Sequence, residues 1–301
     1  MRILQVNKLY YPWIGGIEAH VKILSEELVK NKNEVTVLTC HSHPRFITDK
    51  ESINGVTIIR ASGIGRFFSM PVSLSFFFRL KSLIEDADLV HFHSPFPLSE
   101  LYHFLKHIKK PYIITWHSDI VRQKFFLPIL NSPINNFLDG AKKIIVSSKR
   151  IIECSKYIGK YKNKCVTIPF GIDLDRFKPN IGKGKYILFV GRLAYYKGLD
   201  YLIKAMKYVD EKLVIIGDGP LKKHLTNLVK REEVDHKILF LGSKTPEELS
   251  NIYFDSLFLV LPSISISEAF GLVQLEAMAS GKPVINTDLP TAVPEVCPDG
   301  D

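Results

Sequence analysis

The sequence predicts an α/β protein with two parallel β-sheets, and three observations carry that prediction. Short apolar runs alternate with stretches of helical period through the first half of the chain, the pattern of strand–helix–strand units. A segment without periodicity, rich in Gly, Pro and charge, follows from Gly171 to Gly184 and reads as an interdomain linker. The alternation then restarts and runs to Thr287. A length of 301 residues suits two such domains.

The elements follow in order. Met1–Asn7 reads as a strand, and Gly15-Gly16 opens a helix from about Ile17 to Asn31, with Val21, Leu24 and Leu28 at helical spacing. Further strands are expected at Glu34–Cys40, Gly55–Arg60, Asp88–His93, Pro111–His117, Ala141–Ser148 and Lys164–Pro169. Past the linker, strands are expected at Tyr186–Gly191, Leu213–Gly217, Lys237–Leu241, Leu257–Pro262 and Pro283–Thr287. Helices at Leu199–Tyr208, Leu221–Arg231, Pro246–Tyr253 and Leu272–Ser280 separate them. The expected domains are residues 1–178 and 179–301, facing each other across a cleft at the carboxyl ends of both sheets.

Composition narrows the function classes. A hydrophobic fraction of 46%, with 19 Phe and 12 Tyr, supports a packed core and excludes global disorder. No apolar run approaches the length of a membrane span, and the first residues are too polar for a signal peptide. The expectation is a cytoplasmic protein, peripheral at most on the inner face of a membrane. The four Cys are scattered without a C-x-x-C pair, which speaks against a zinc or redox site. The net charge of +9 is uneven, since residues 1–180 hold 26 Lys and Arg against 15 Asp and Glu. Such a basic half suits an anionic partner: a phosphorylated substrate, nucleic acid or an anionic membrane.

Two stretches carry the chemistry. In Pro262-Ser263-Ile264-Ser265-Ile266-Ser267-Glu268-Ala269-Phe270-Gly271-Leu272, a buried strand gives way to a polar loop and then to a helix. The amides of Gly271 and Leu272 at the helix start can hold a phosphate. Glu268 at the loop and Glu276 within the helix can each accept hydrogen bonds from sugar hydroxyls. An isolated E-x₇-E would read as a capping Glu and a solvated Glu; the flanking residues change that reading. In Gly191-Arg192-Leu193-Ala194-Tyr195-Tyr196-Lys197-Gly198, a strand delivers Arg192 and Lys197 to one loop, where two cations can neutralise a leaving diphosphate.

With these stretches in hand, the chain resembles family 4 of the retaining glycosyltransferases, a family of the GT-B fold. The resemblance implies two Rossmann-like domains, the first binding acceptor and the second binding a nucleotide-diphosphate sugar. It implies that Glu268 contacts the donor sugar, Glu276 the ribose, and the Gly271 and Leu272 amides the diphosphate. Arg192 and Lys197 match the family's phosphate-holding pair. Tyr11-Pro12-Trp13-Ile14-Gly15-Gly16-Ile17-Glu18 resembles the N-terminal glycine loop, with Gly16 on the donor side and Gly15 and Glu18 on the acceptor side. Thr115-Trp116-His117-Ser118-Asp119 resembles the active-site His segment, and Gly217 lies in the turn near the nucleotide. The family continues beyond the position of Asp301, so the resemblance implies an incomplete C-terminal domain.

The expected activity is transfer of a hexose, from a GDP-mannose, UDP-hexose or UDP-N-acetylhexosamine type of donor, to a hydroxyl of a glycan or lipid-diphosphate-linked acceptor. The anomeric configuration is retained, and neither metal nor cofactor is required. A catalytically inactive GT-B-fold interaction protein and a sugar-nucleotide epimerase are the alternatives. Lys142, Lys143, Lys149, Arg150, Lys156, Lys160, Lys162 and Lys164, with Phe67, Phe68, Phe76, Phe77 and Phe78, suggest an anionic membrane surface; no nucleic-acid partner is expected. The Asp86-Ala87-Asp88 triplet reads as a solvated turn rather than a metal motif, and His103 and His107 as part of an amphipathic surface.

Overall fold

Strand-forming residues dominate the core segments, and Ser148 and Thr245 cap the helices that begin at Lys149 and Pro246. The computed structural model describes residues 1–13, 15–67, 70–120 and 127–300. Phe68 of the predicted membrane-facing set therefore lies outside the described residues. The chain divides into two units, Met1–Pro169 and Phe170–Asp301. The segment 170–178, placed in the first domain by sequence, packs within the second unit: Phe170 against Phe270, and Phe177 against Tyr253.

The first unit contains β1 (Arg2–Val6), α1 (Gly16–Lys30), β2 (Glu34–Cys40), β3 (Pro44–Arg45), β4 (Asp49–Ile53) and β5 (Val56–Ala61). It continues with β6 (Gly63–Ile64), β7 (Arg66–Phe67), β8 (Met70–Pro71), α2 (Ser75–Asp86), β9 (Leu89–Ser94) and α3 (Pro97–Lys106). It ends with β10 (Tyr112–Trp116), α4 (Leu127–Gly140), β11 (Lys143–Val146), α5 (Lys149–Cys154) and β12 (Cys165–Thr167). Among the described residues the main sheet has the order β12-β11-β10-β9-β1-β2-β5-β4, parallel except for the β4–β5 pair. The sequence reading missed β4 and the short strands β3 and β6 to β8, because an excursion on a sheet edge needs no sustained apolar alternation.

The two faces of this sheet differ. On β9 and β10, Phe92 and Tyr112 meet Phe137 of α4 with ring centroids 5.0 and 5.1 Å apart. His103 belongs to this core: it is buried, with its ring 5.4 Å from Tyr112. That corrects the amphipathic-surface reading, which holds only for exposed His107. The other face carries Gln5, His91, His93, Thr115 and His117, all buried. Asp88 receives the Arg2 backbone amide at 2.7 Å and the Arg2 guanidinium at 3.3 Å, so the D-x-D imitation closes a structural turn.

The second unit contains β13 (Tyr186–Val190), α6 (Leu199–Ala205), β14 (Leu213–Ile216), α7 (Lys222–Arg231), β15 (Ile238–Gly242) and α8 (Pro246–Phe254). It closes with β16 (Ser256–Leu261), α9 (Leu272–Ala279), β17 (Val284–Asn286) and α10 (Val293–Val296). Its sheet is parallel in the order β15-β14-β13-β16-β17. β13 is central and apolar throughout because helices cover both faces. Ile187 and Phe189 join one core with Leu213 and Ile215, while Leu188 and Val190 join the other with Val214 and Ile216. Each such side chain contributes about 1.5–3 kcal/mol by leaving water. This core fixes the strand ends from which the site loops leave.

Candidate active site

In the second unit the loops after β13, β14 and β16 are locked together by main-chain hydrogen bonds. Leu193 N–H donates to Asp218 O at 3.0 Å, and Leu221 N–H to Leu193 O at 3.1 Å. Ile264 N–H donates to Tyr196 O at 2.8 Å. Gly198 is the closest approach: it has φ +67°, and a Cβ there would stand 1.9 Å from the Pro262 carbonyl oxygen. Only glycine fits that contact and that conformation. Gly217 fills a similar place, its backbone against the Gly191 carbonyl, so its part is to let two loops meet.

This locking puts Lys197 against Glu268. The Lys197 ammonium lies 2.5 Å from Glu268 Oε2, and Ser263 Oγ donates to the same oxygen at 2.9 Å. Both side chains are nine-tenths buried. Burial alone would lower the Lys197 pKa, but the Glu268 carboxylate and the Tyr196 hydroxyl raise it above the ordinary lysine value, so the ammonium persists. Lys197 is therefore buried and ion-paired, not one of two equally available cations on the loop. Arg192, on the same loop, is exposed, and its carbonyl accepts from Ala194 N–H at 2.8 Å.

The phosphate-binding helix start is also formed. Gly271 is the N-cap of α9 in the left-handed region, with φ +76°. The amides of Gly271 and Leu272 precede the first bond of the helix ladder, Gln274 N–H to Gly271 O at 2.9 Å. Gln274 and Asn286, neither singled out by sequence, hold this corner. Gln274 Nε2 donates to Phe270 O at 3.1 Å, and Asn286 Nδ2 donates to Gln274 Oε1 at 2.8 Å. Glu276 is not part of the Lys197 cluster. It is half-buried, and its Oε2 accepts from Tyr253 Oη at 2.7 Å. Burial raises the Glu276 pKa, while the Tyr253 hydrogen bond and Arg176 oppose the rise.

In the first unit, α1 begins at Gly16 with Gly15 as its N-cap. Glu18, in the first helical turn, is buried and folds back on Gly15, where a Cβ would stand 2.2 Å from its Oε2. A carboxylate there complements the positive helix end. His117 directly follows β10 and is buried. His93 Nδ1 lies 3.0 Å from His117 Nε2, and His93 Nε2 lies 2.8 Å from Gln5 Oε1. His91 Nε2 bonds Thr115 Oγ1 at 2.7 Å, and the His20 ring of α1 lies 5.8 Å from that of His117. Burial lowers the pKa of His20 to about 4 and, with His20 nearby, that of His91 to about 3. His93 and His117 are held well below the ordinary value by burial and by the neighbouring imidazoles. The sequence signal for this cluster was the alternation His91-x-His93 on one strand and Thr115-x-His117 on the next.

Two parallel-sheet units, with a cationic loop and an open helix start at the strand ends of the second, define a GT-B glycosyltransferase architecture. The chain belongs to glycosyltransferase family 4. Its residues 14–176 match the model of Glycosyltransferase Family 4, and residues 171–301 that of Glycosyl transferases group 1. It is 32% identical to the D-rhamnosyltransferase WbpZ of Pseudomonas aeruginosa, over 97% of this chain and 78% of the relative. It is 29% identical to the O-antigen chain mannosyltransferase C of Escherichia coli, over 97% of this chain and 80% of that protein. Sucrose-phosphate synthase from Thermosynechococcus elongatus shares the fold, with a TM-score of 0.75 at 21% identity, covering 96% of this chain and 81% of that one. Anabaena HepE in complex with UDP and glucose does so with a TM-score of 0.71 at 16% identity, covering 97% and 82%.

Proposed function

We propose that the second unit binds a nucleotide-diphosphate sugar and that the chain transfers its hexose to a hydroxyl of a glycan or lipid-linked acceptor held by the first unit, with retention. The observation that carries this reading is the Lys197–Glu268–Ser263 cluster on loops shared with Arg192 and the start of α9. The bond that breaks joins the anomeric carbon to the diphosphate, and the charge that develops is on the departing phosphate. Because Lys197 is already neutralised by Glu268, Arg192 and the Gly271 and Leu272 amides carry most of the uncompensated positive potential. Lys197 adds a hydrogen bond and, with Glu268, orients the sugar. Glu276 serves the ribose. Gly16 lies on the donor side, and Gly15 and Glu18 on the acceptor side. This route needs no metal. A D-rhamnosyltransferase and an O-antigen chain mannosyltransferase among the relatives favour a hexose or deoxyhexose as the transferred sugar.

The test is Arg192→Ala. Its guanidinium is exposed, so the melting temperature should stay within a degree or two, while kcat/KM falls about a hundredfold. Turnover close to that of the parent would sink the proposed clamp.

No helix among the described residues is long and apolar enough to cross a membrane. We propose peripheral contact with an anionic membrane, with the two halves of the predicted patch reassigned. Phe76 is core. The basic run from Lys142 to Lys164 surrounds β11 and β12 at one edge of the sheet, while exposed Phe67 belongs to the separate β7–β8 pair and exposed Phe78 to α2, which packs on β1, β2 and β5. The basic edge is the electrostatic contact. Vesicle sedimentation should therefore rise with anionic lipid, fall with salt, and weaken in a Lys160→Glu/Lys162→Glu variant. Equal partitioning to neutral vesicles counts against it.

A further inference from the structure

Gln5 on β1, His93 on β9 and His117 directly after β10 lie at one face of three adjacent strands and form a hydrogen-bonded chain with no exposed member. From this geometry we infer that His93 is a positioning residue: anchored by Gln5, it fixes which ring nitrogen of His117 carries the proton. The consequence for catalysis rests on the reading of His117 as an active-site residue.

The argument follows the donors. The Gln5 amide is assigned with Oε1 toward His93 and Nε2 without a partner among the described residues; in that orientation Oε1 can only accept, so His93 Nε2, at 2.8 Å, carries a hydrogen. A neutral imidazole has one N–H, so His93 Nδ1 is an acceptor. The 3.0 Å contact to His117 Nε2 is then a bond donated by His117. His117 in turn is neutral and is the Nε2–H tautomer, with Nδ1 as the ring's acceptor. The neutrality that the argument needs is supplied by the surroundings. The titratable groups facing the chain are the imidazoles of His20 and His91 and the Lys8 ammonium, all of which oppose another positive charge. His91 is separately satisfied by Thr115 at 2.7 Å, so it does not compete for His93. A second-layer group that sets a tautomer fixes which side of the ring donates and which accepts.

The experiment uses the full chain labelled with ¹⁵N-histidine. A long-range ¹H–¹⁵N correlation spectrum, with His117 assigned by loss of its signals in His117→Gln, reads the tautomer directly. The parent should show His117 as Nε2–H. His93→Phe should release it to a mixture of tautomers and lower kcat by about a hundredfold, the low end of what a positioned proton donor or acceptor contributes, with the donor dissociation constant within twofold. Gln5→Met, which removes the anchor but leaves both rings, should give the same spectral change in milder form. An Nδ1–H pattern for His117 in the parent, or an unmoved tautomer in both variants, overturns the role of His93. Normal turnover in His117→Gln instead overturns the active-site reading of His117. The two failures are read on different measurements.

Discussion

Glu268→Gln should destabilise the second unit by about 3–5 kcal/mol, a larger effect than any expected from a sugar-binding side chain alone. The carboxylate lies 2.5 Å from an ammonium that is itself nine-tenths buried, so the amide leaves a charge without compensation. With that carboxylate gone, burial lowers the Lys197 pKa, so the variant either desolvates an uncompensated ammonium or gives up its proton, and both cost stability. Lys197→Met should cost less: the Glu268 carboxylate keeps the Ser263 hydroxyl at 2.9 Å. The pair Lys197→Met/Glu268→Leu should recover much of the stability, since a buried ion pair is often replaceable by apolar groups of similar volume. It should not recover activity. Hydrogen exchange at the β13 and β16 amides reads the stability of this unit, and nucleotide-sugar titration reads binding. A Glu268→Gln variant as stable as the parent, altered only in KM, would show that the pair carries no structural weight.

Much of this site was legible because its chemistry is local in sequence. Gly191 to Gly198 and Pro262 to Glu276 each pair a strand end with turn glycines, charged groups and a helix start, and such patterns survive without knowledge of tertiary contacts. What the sequence withheld was which charges meet. Arg192 and Lys197 looked equivalent five residues apart, yet one is exposed and the other is buried against a carboxylate seventy-one positions away in the chain. The separation follows from the contact of Gly198 with the Pro262 carbonyl, which draws Lys197 inward and leaves Arg192 outside. The parallel strands were readable for a similar reason: Tyr186–Val190 is apolar along its whole length because both faces are covered. β4, with the exposed run Lys50-Glu51, had no such signal, since its pairing with β5 is a matter of main-chain bonds at an edge. The polar stripe of the first unit was half visible. The alternation on β9 was there to read, but Gln5 on β1 and Thr115 on β10 acquire meaning only when the parallel register sets Gln5 beside His91 and Thr115 beside His93.

That stripe makes the first unit acid-sensitive in a window where carboxylates are silent. Unfolded histidines take up protons near pH 6.5. In the folded unit His20 resists until about pH 4 and His91 until about pH 3, and His93 and His117 are also held well below the ordinary value, chiefly because burial penalises the charged ring. Depressed folded values mean that the unfolded chain binds more protons below pH 6.5. Their stabilisation is therefore complete above that pH and is lost as the pH falls toward 4 and 3. Two carboxyls work in the opposite direction: Glu100 in the first unit and Glu276 in the second are raised by burial, so their contribution is present at low pH and fades as the pH rises. In the first unit these four imidazoles, with His41 and His103 shifted the same way by burial, stand against one such carboxyl, and the imidazoles win. Between pH 7.5 and 5.5 each ring costs about 1 kcal/mol, and the four together several. Both tryptophans, Trp13 and Trp116, lie in this unit, so urea melts followed by Trp fluorescence report it alone. The midpoint should fall steadily from pH 7.5 to 5.5, and His93→Phe should flatten the slope by about one proton if the variant folds. The slope in the parent is the first result to obtain. A midpoint that is flat or rises on acidification would mean that the folded unit admits protons to these rings, and that the stripe is neither dry nor neutral.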